Sequence, residues 1–581
     1  MGTNRENNNR RCALKSRLLN CFAVVTLSIG LVAPVQLAAQ DAGAGKQEHH
    51  HYKLVDIGTF GGPSSYTNTL SLSDRFGFTA PDGFAQVLNQ RGTLVGWAET
   101  PTPNDQAYCW FFPFECYVSY AFQWHDGVKT DLGALAGEFN SSAALWINSN
   151  GLIAGYSQNG EIDPVSGLAE LRAVVWDNGQ ITNLGTLGGN ESFAAAVNDR
   201  GQVVGVATNE IPDPFSFLYV FTPTPLPNGT QTRAVLWDGD VPHDLGTLGG
   251  PDAGPALVNQ RGQVAGYSYT NSIPNADDGI PTLDPFLWDP KTGMQDLGNF
   301  GDQAASINGL NNRGEVVGGL WLPGNQQIHP FLWDGKKLID LVAPPFGGGA
   351  NGEASWVNDA GEVVGLAGIP APCPPGSLIS QMQHAFWWRN GVMTDLGAPS
   401  EAPSSEADFI NSKSQIVGIS WPCDFSFFSA ILWENGSMFD LNSLIPHGSP
   451  FFLYSASFID DQGNIVALGV LPDGAAHAML LVPCQPSAAE CSDPEAKTAA
   501  PGSVLTEPQR LTMKRMIAAH HGRLERSRTF SIEDREADSL RMGFRESTAG
   551  RCSLAGQQCP PQQPCCPGLR CVPASVRAYC E

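Results

Sequence analysis

N-D-R-G-Q-V-V-G, from Asn198 to Gly205, decides the fold of this chain, because versions of it stand at eight places. The copies begin at Asn89 (N-Q-R-G-T-L-V-G), Asn148, Asn198, Asn259, Asn311, Asn358, Asn411 and, degenerately, Asp460 (D-D-Q-G-N-I-V-A). Each reads as a hairpin. A polar residue opens the turn, two tolerant residues follow, Gly takes the position with positive φ, and a β-branched run leads out as a strand.

Working outward, the fullest unit runs from Arg172 to Gly205: R-A-V-V-W-D-N-G-Q-I-T-N-L-G-T-L-G-G, a short gap, then A-A-A-V-N-D-R-G-Q-V-V-G. The related strands carry tryptophans at 124, 176, 237, 288, 333, 388 and 433, spaced 52, 61, 51, 45, 55 and 45 residues apart. One unit holds four strands: the run ending at the motif Asn, the V-V-G run, A-V-V-W, and, after D-N-G, I-T-N-L-G. Four antiparallel strands per unit of this length predict a β-propeller, since coils of a parallel β-helix lack two tight hairpins each. The first unit begins at L-V-D-I-G (Leu54 to Gly58), a fourth strand with no third before it. The array ends at His477 to Val482, a third strand with no fourth after it. Joining the two ends completes a blade and removes both open edges. The expectation is an all-β, eight-bladed ring, or a seven-bladed one if the degenerate last unit is no full blade.

H-A-F-W-W (His384 to Trp388), D-L-G-T-L-G-G (Asp244 to Gly250) and V-N-x-x-G-x-V-V-G resemble the HAF-type extracellular repeat family of bacterial secreted proteins, over about 430 residues. The resemblance implies an extracellular repeat protein and brings no catalytic residues with it. A-V-V-W at Ala173 and P-F-L-W at Pro285 depart from the name-giving triplet but keep the strand pattern.

Charge is unevenly spread. Residues 41–494 hold 15 Lys and Arg against 47 Asp and Glu, whereas 495–581 hold 13 against 9. So acidic a body repels a phosphate backbone, which argues against nucleic acid as a partner. Residues 1–40 have the order of a secretory signal peptide: Arg5, Arg10, Arg11, Lys15 and Arg17, an apolar run from Leu18 to Val35, then small residues. An exported protein is expected, secreted or held in the periplasm or at the cell surface, with no membrane span after cleavage. Residues 41–52, with His49 to His51, read as a polar linker; nothing nearby sets a metal geometry. The repeats then fill 53–483.

Most large insertions fall between the V-V-G strand and the following third strand, so they emerge on one face of a propeller. They carry Trp110, Phe111, Phe112 and Phe114, then Phe215, Phe217 and Tyr219, then Trp421, Phe425, Phe427 and Phe428. These aromatics are the predicted ligand-binding residues, for an extracellular protein or carbohydrate. Twelve cysteines follow the signal segment. Position suggests Cys109 with Cys116 across a loop, Cys373 with Cys423 between adjacent blades, and Cys484 with Cys491 beyond the last strand. The Asp of D-L-G, replaced once by Asn183, is repeated once per blade, so it spreads around the ring and reads as a turn or inter-blade hydrogen-bonding residue rather than a calcium ligand. No metal or other cofactor is expected. No G-x-S-x-G, H-E-x-x-H, P-loop or dinucleotide fingerprint occurs. The expectation is therefore a non-enzymatic binding scaffold. The alternatives are a propeller hydrolase or lyase acting on an extracellular glycan, with carboxylates or a His converging in the ring's funnel, and a carrier for the C-terminal module described next.

From 484 to 550 the composition turns Arg-rich and helix-favouring, with Thr506-Glu507-Pro508 opening one helix and Ser531 with Asp534 capping a second. Residues 551–581 hold six cysteines in a segment too short to bury a core, so disulfides must hold it. Six cysteines allow several connectivities. Adjacent Cys565 and Cys566 suit tetrahedral zinc poorly. The spacing, centred on C-C-P-G-L-R-C, resembles the inhibitor cystine knot of knottins, an inhibitor, toxin or scaffold class. That resemblance implies pairing of Cys552 with Cys566, Cys559 with Cys571, and Cys565 with Cys580.

Overall fold

A computed structural model describes residues 51–67, 86–104, 117–484 with short breaks, 505–513, and the backbone of 571–573 and 578–580. Eight four-stranded antiparallel sheets form the blades of one propeller. In chain order they span 65–131, 142–183, 192–244, 253–296, 305–340, 352–397 and 404–440, and the eighth joins 452–484 to His51–Asp56.

Burial identifies the inner and outer strands. First strands such as Ser142–Ile147 are buried throughout, while fourth strands such as Gln180–Asn183 are mostly exposed. Alternation therefore weakens towards the axis, where both faces of a strand are covered. The ring closes as the chain ends predict. His51–Asp56 pairs antiparallel with Ala476–Cys484, so Leu54 opposes Leu481 and no third strand of blade eight is left unpaired.

The motif asparagine does more than open a turn. Asn198 Oδ1 accepts the N–H groups of Arg200 and Gln202 (3.0 and 3.1 Å), and Gly201 takes φ +78° at the turn. Its Nδ2 then donates to the Asn259 carbonyl of the next blade at 3.0 Å. The same link runs from Asn89 to Asn148, from Asn148 to Asn198, from Asn259 to Asn311, from Asn311 to Asn358, from Asn358 to Asn411 and from Asn411 to Asp460. Asp460 has no amide, and the eighth junction carries instead a 3.3 Å bond from Gln462 Nε2 to the Gln90 carbonyl.

Other repeated residues also join blades. Indole nitrogens of Trp176, Trp237 and Trp433 donate to Leu132, Leu184 and Leu396, the leucines of the preceding D-L-G or N-L-G segments. The acids of those segments make local turns, as Asp244 Oδ1 does with the Gly246 amide at 2.9 Å.

The first helix of the C-terminal region, at 507–513, is capped by Thr506 and Gln509 in a reciprocal box. It docks on blade eight: Gln509, Thr506 and Thr512 donate to the carbonyls of Val470, Pro472 and Gly474, and Met513 is buried. The second predicted helix lies outside the described residues, as do Cys552, Cys559, Cys565 and Cys566. Cys571 and Cys580 are register partners in a short antiparallel pair.

Candidate functional site

Where they are described, the inserted loops fold back onto the ring. Phe217, Trp421, Phe425 and Phe428 are 1%, 1%, 2% and 6% exposed, so these four predicted ligand-binding residues are instead core. Trp421, Phe425 and Phe428 stack on one another with centroids 5.7–6.3 Å apart, and Phe217 meets the edge of Tyr269 at 4.5 Å. Removing these rings from water outweighs display, since each buries a large apolar area. Phe215 and Phe427 are partly buried against the same core. Trp110, Phe111, Phe112, Phe114, Tyr219, Cys109, Cys116 and Cys491 lie outside the described residues.

Covalent and polar anchors hold these loops. Cys373 and Cys423 form a disulfide between blades six and seven with Cα atoms 5.8 Å apart, and Cys484 is also disulfide-bonded. Under the Phe217 loop, Asp252 accepts the amides of Phe217 (2.6 Å) and Thr232 (2.9 Å). Burial, then the charge of Asp213, pushes the Asp252 carboxyl well above the usual range, and burial raises Asp213 as well. Glu191 does the equivalent work one blade earlier, binding the Leu171 amide at 2.7 Å. This acid pair is therefore loop support.

The histidines of the third strands are equally structural. His329, His384 and His477 pair through Nδ1 with Asp340, Asp395 and Asp56 on the adjoining fourth strands at 2.8–2.9 Å. Arg233 pairs with Asp244, and Ser429 with Asp440, at the same cross-strand place. A lock repeated in five blades, with interchangeable partners, ties a third strand to its outer edge strand. For Asp56, burial raises the carboxyl, but the His477 hydrogen bond and charge and the Gly58 amide outweigh it and leave it below its ordinary value.

The inner wall is where the blades differ. Five and three residues before the motif Asn, blades two to four carry Ala143 and Leu145, Phe193 and Ala195, and Gly254 and Ala256. At the same positions blades five to eight carry Ser306 and Asn308, Glu353 and Ser355, Glu406 and Asp408, and Ser455 and Ser457. Among blades two to eight these positions are thus apolar in three and polar in four, with three carboxylates on the first strands of blades six and seven. Glu353 reaches across to blade five, where Oε1 accepts from Ser306 Oγ and from Asn308 Nδ2 at 2.7 Å. Asn308 Oδ1 is buried without a partner. Nearer the motif turns an aromatic row spans blades six to eight, with Trp356 to Phe409 at 4.7 Å and Phe409 to Phe458 at 4.6 Å.

Reading the repeats for what they share hides this arc, because the information is in the positions at which they differ. Aligning the first strands on the motif Asn exposes Glu353, Glu406 and Asp408, which loop reasoning missed. Among the described residues no three His, Cys, Asp or Glu converge as a metal site, and no helix is long and apolar enough to cross a membrane.

No family model matches the chain, and no curated protein matches it. Solved structures are similar to it. The β-propeller domain of the Trilobed protease from Pyrococcus furiosus, described as having an open velcro topology, is 12% identical with a TM-score of 0.32, over 50% of this chain and 84% of that one. A Mycobacterium tuberculosis puromycin-hydrolyzing peptidase is 13% identical with a TM-score of 0.36, over 79% and 68%. A prolyl endopeptidase is 11% identical with a TM-score of 0.35, over 70% of this chain and 49% of that one. Peptidases stand among these neighbours, against the expectation of a non-enzymatic chain. At these identities the likeness is one of fold, and their peptide-cleaving activities belong to those proteins.

Proposed function

We propose that the chain is an exported propeller hydrolase acting on an extracellular glycan, with the polar arc of the inner wall as its reacting surface. The observation that carries this reading is the placement of Glu353, Glu406 and Asp408 on neighbouring innermost strands, against an apolar wall in blades two to four. Hydrolysis of a glycosidic bond needs one carboxyl to protonate the leaving oxygen and a second to activate water or attack the sugar. A pair drawn from these three supplies both from rigid strands, which position side chains better than loops do. Ser306, Asn308, Ser355, Ser455 and Ser457 add hydrogen-bonding groups of the kind that orient hydroxyls. The acidic body and the signal-like N-terminus support an extracellular, uncharged or weakly charged polymer over a polyanion.

The test is release of reducing ends from a panel of extracellular polysaccharides by the purified chain, compared with Glu353→Gln, Glu406→Gln and Asp408→Asn. Two of the three variants should lose roughly 100-fold or more of kcat while still binding polymer. Absence of turnover on every polymer, or three variants as active as the parent, overturns the reading.

A further inference from the structure

Blade eight differs from the others in having no turn between its third and fourth strands, because the fourth comes from the N-terminal end of the array. At that place, on the face that carries the motif turns, the structure has a cavity of about 300 Å³. It is lined by Tyr52 and Pro483 from the joined ends, by Lys413 and Gln415 from the blade-seven motif turn, by Glu434 and Asn435, and by Gln462 and Gly463. The size is at the lower end for small-molecule pockets.

The lining sorts into satisfied and open groups. Gln415 Nε2 donates to Glu434 Oε1, and Gln462 Nε2 donates to the Gln90 carbonyl. Among the described residues, the Lys413 ammonium, the Asn435 side-chain amide and the Tyr52 hydroxyl have no partner, although Tyr52 is only 1% exposed. Burial, with the nearby Glu434 carboxylate, pushes the Tyr52 phenol well up, so it stays a donor. Gly463, at φ +86°, adds no side chain to the floor; a Cβ there would stand 3.2 Å from Pro483 Cγ. At two other motif turns a long side chain occupies this place: a Cβ at Gly262 would meet the Arg200 guanidinium, and one at Gly361 that of Arg313.

From one open cation, one buried phenol donor and one open amide, beside the apolar faces of Tyr52 and Pro483, we infer that this seam pocket binds a single sugar-acid unit. The carboxylate pairs with Lys413, and ring hydroxyls bond Tyr52 and Asn435. The site lies on the face away from the inserted loops and does not depend on the catalytic reading of the inner wall.

Titration calorimetry of the full chain with glucuronate, galacturonate, glucose and galactose tests it, with an acidic trisaccharide separating a free sugar acid from a chain end. Sugar acids should bind roughly tenfold or more tightly than their neutral counterparts. Lys413→Gln should abolish that preference, and Tyr52→Phe should weaken all acid ligands several-fold, each without changing the melting temperature or the turnover lost in Glu406→Gln. Equal affinity for acid and neutral sugars, no binding at millimolar ligand, or Lys413→Gln binding like the parent overturns the inference. If Tyr52→Phe fails to fold, Lys413→Gln alone decides.

Discussion

At the scale of single residues, the motif Asn carries two duties, closing its own turn and tying its blade to the next. Asp460 performs the first, accepting the amides of Gln462 and Asn464, but its carboxylate cannot donate across the seam to Asn89. Asp460→Asn should supply the missing rung and stabilise the ring by about 1 kcal/mol, read as a higher urea midpoint with an unchanged slope. The buried Asp213 and Asp252 make a second residue-level case. Their carboxyl pKa values are raised in the fold, so their contribution is full below the unfolded value of about 3.9 and is lost as pH rises through the folded values. Stability attributable to this pair should therefore fall as pH rises above about 4. Asp213→Asn, which removes one carboxyl of the pair and puts an amide in its place, should reduce that fall in urea titrations at acidic and neutral pH.

Elements show why loops misled. Aromatic insertions on one face were legible in the residues, but whether such rings face water or the ring depends on what lies beneath them. Phe425 sits at φ +49°, a conformation that turns the loop between the second and third strands of blade seven inward so that its ring stacks near Trp421 and Phe428. The Cys373–Cys423 bridge holds that loop to its neighbour across a separation of 50 residues. Replacing both cysteines by serine should cost about 2–4 kcal/mol and expose the stacked cluster, seen as a lower melting temperature and a red shift of tryptophan emission. The inner wall failed to register for the opposite reason. Its polar part is spread over four first strands some 50 residues apart, and only the closed ring brings Glu353 beside Ser306 and Asn308.

For the molecule as a whole, closure depends on His51–Asp56 supplying the outer strand of blade eight. Deleting residues through Ile57 should leave a third strand unpaired and remove the His477–Asp56 lock, giving a chain that self-associates at concentrations where the parent is monodisperse in light scattering. Strand order and the closing partner could be read from the chain, and the number of blades to eight or seven, because period-two patterning and turn chemistry are local and the copies repeat the same message; the structure decides for eight. Tertiary structure alone decided which aromatics are buried, which acids support loops, and which side chains share the inner wall or the seam pocket. Those properties arise between residues far apart in sequence, where burial and hydrogen-bond partners depend on how the blades meet. The stretch around Asn198 thus specified the blade locally, and only the ring revealed its asparagine as the link from each blade to the next.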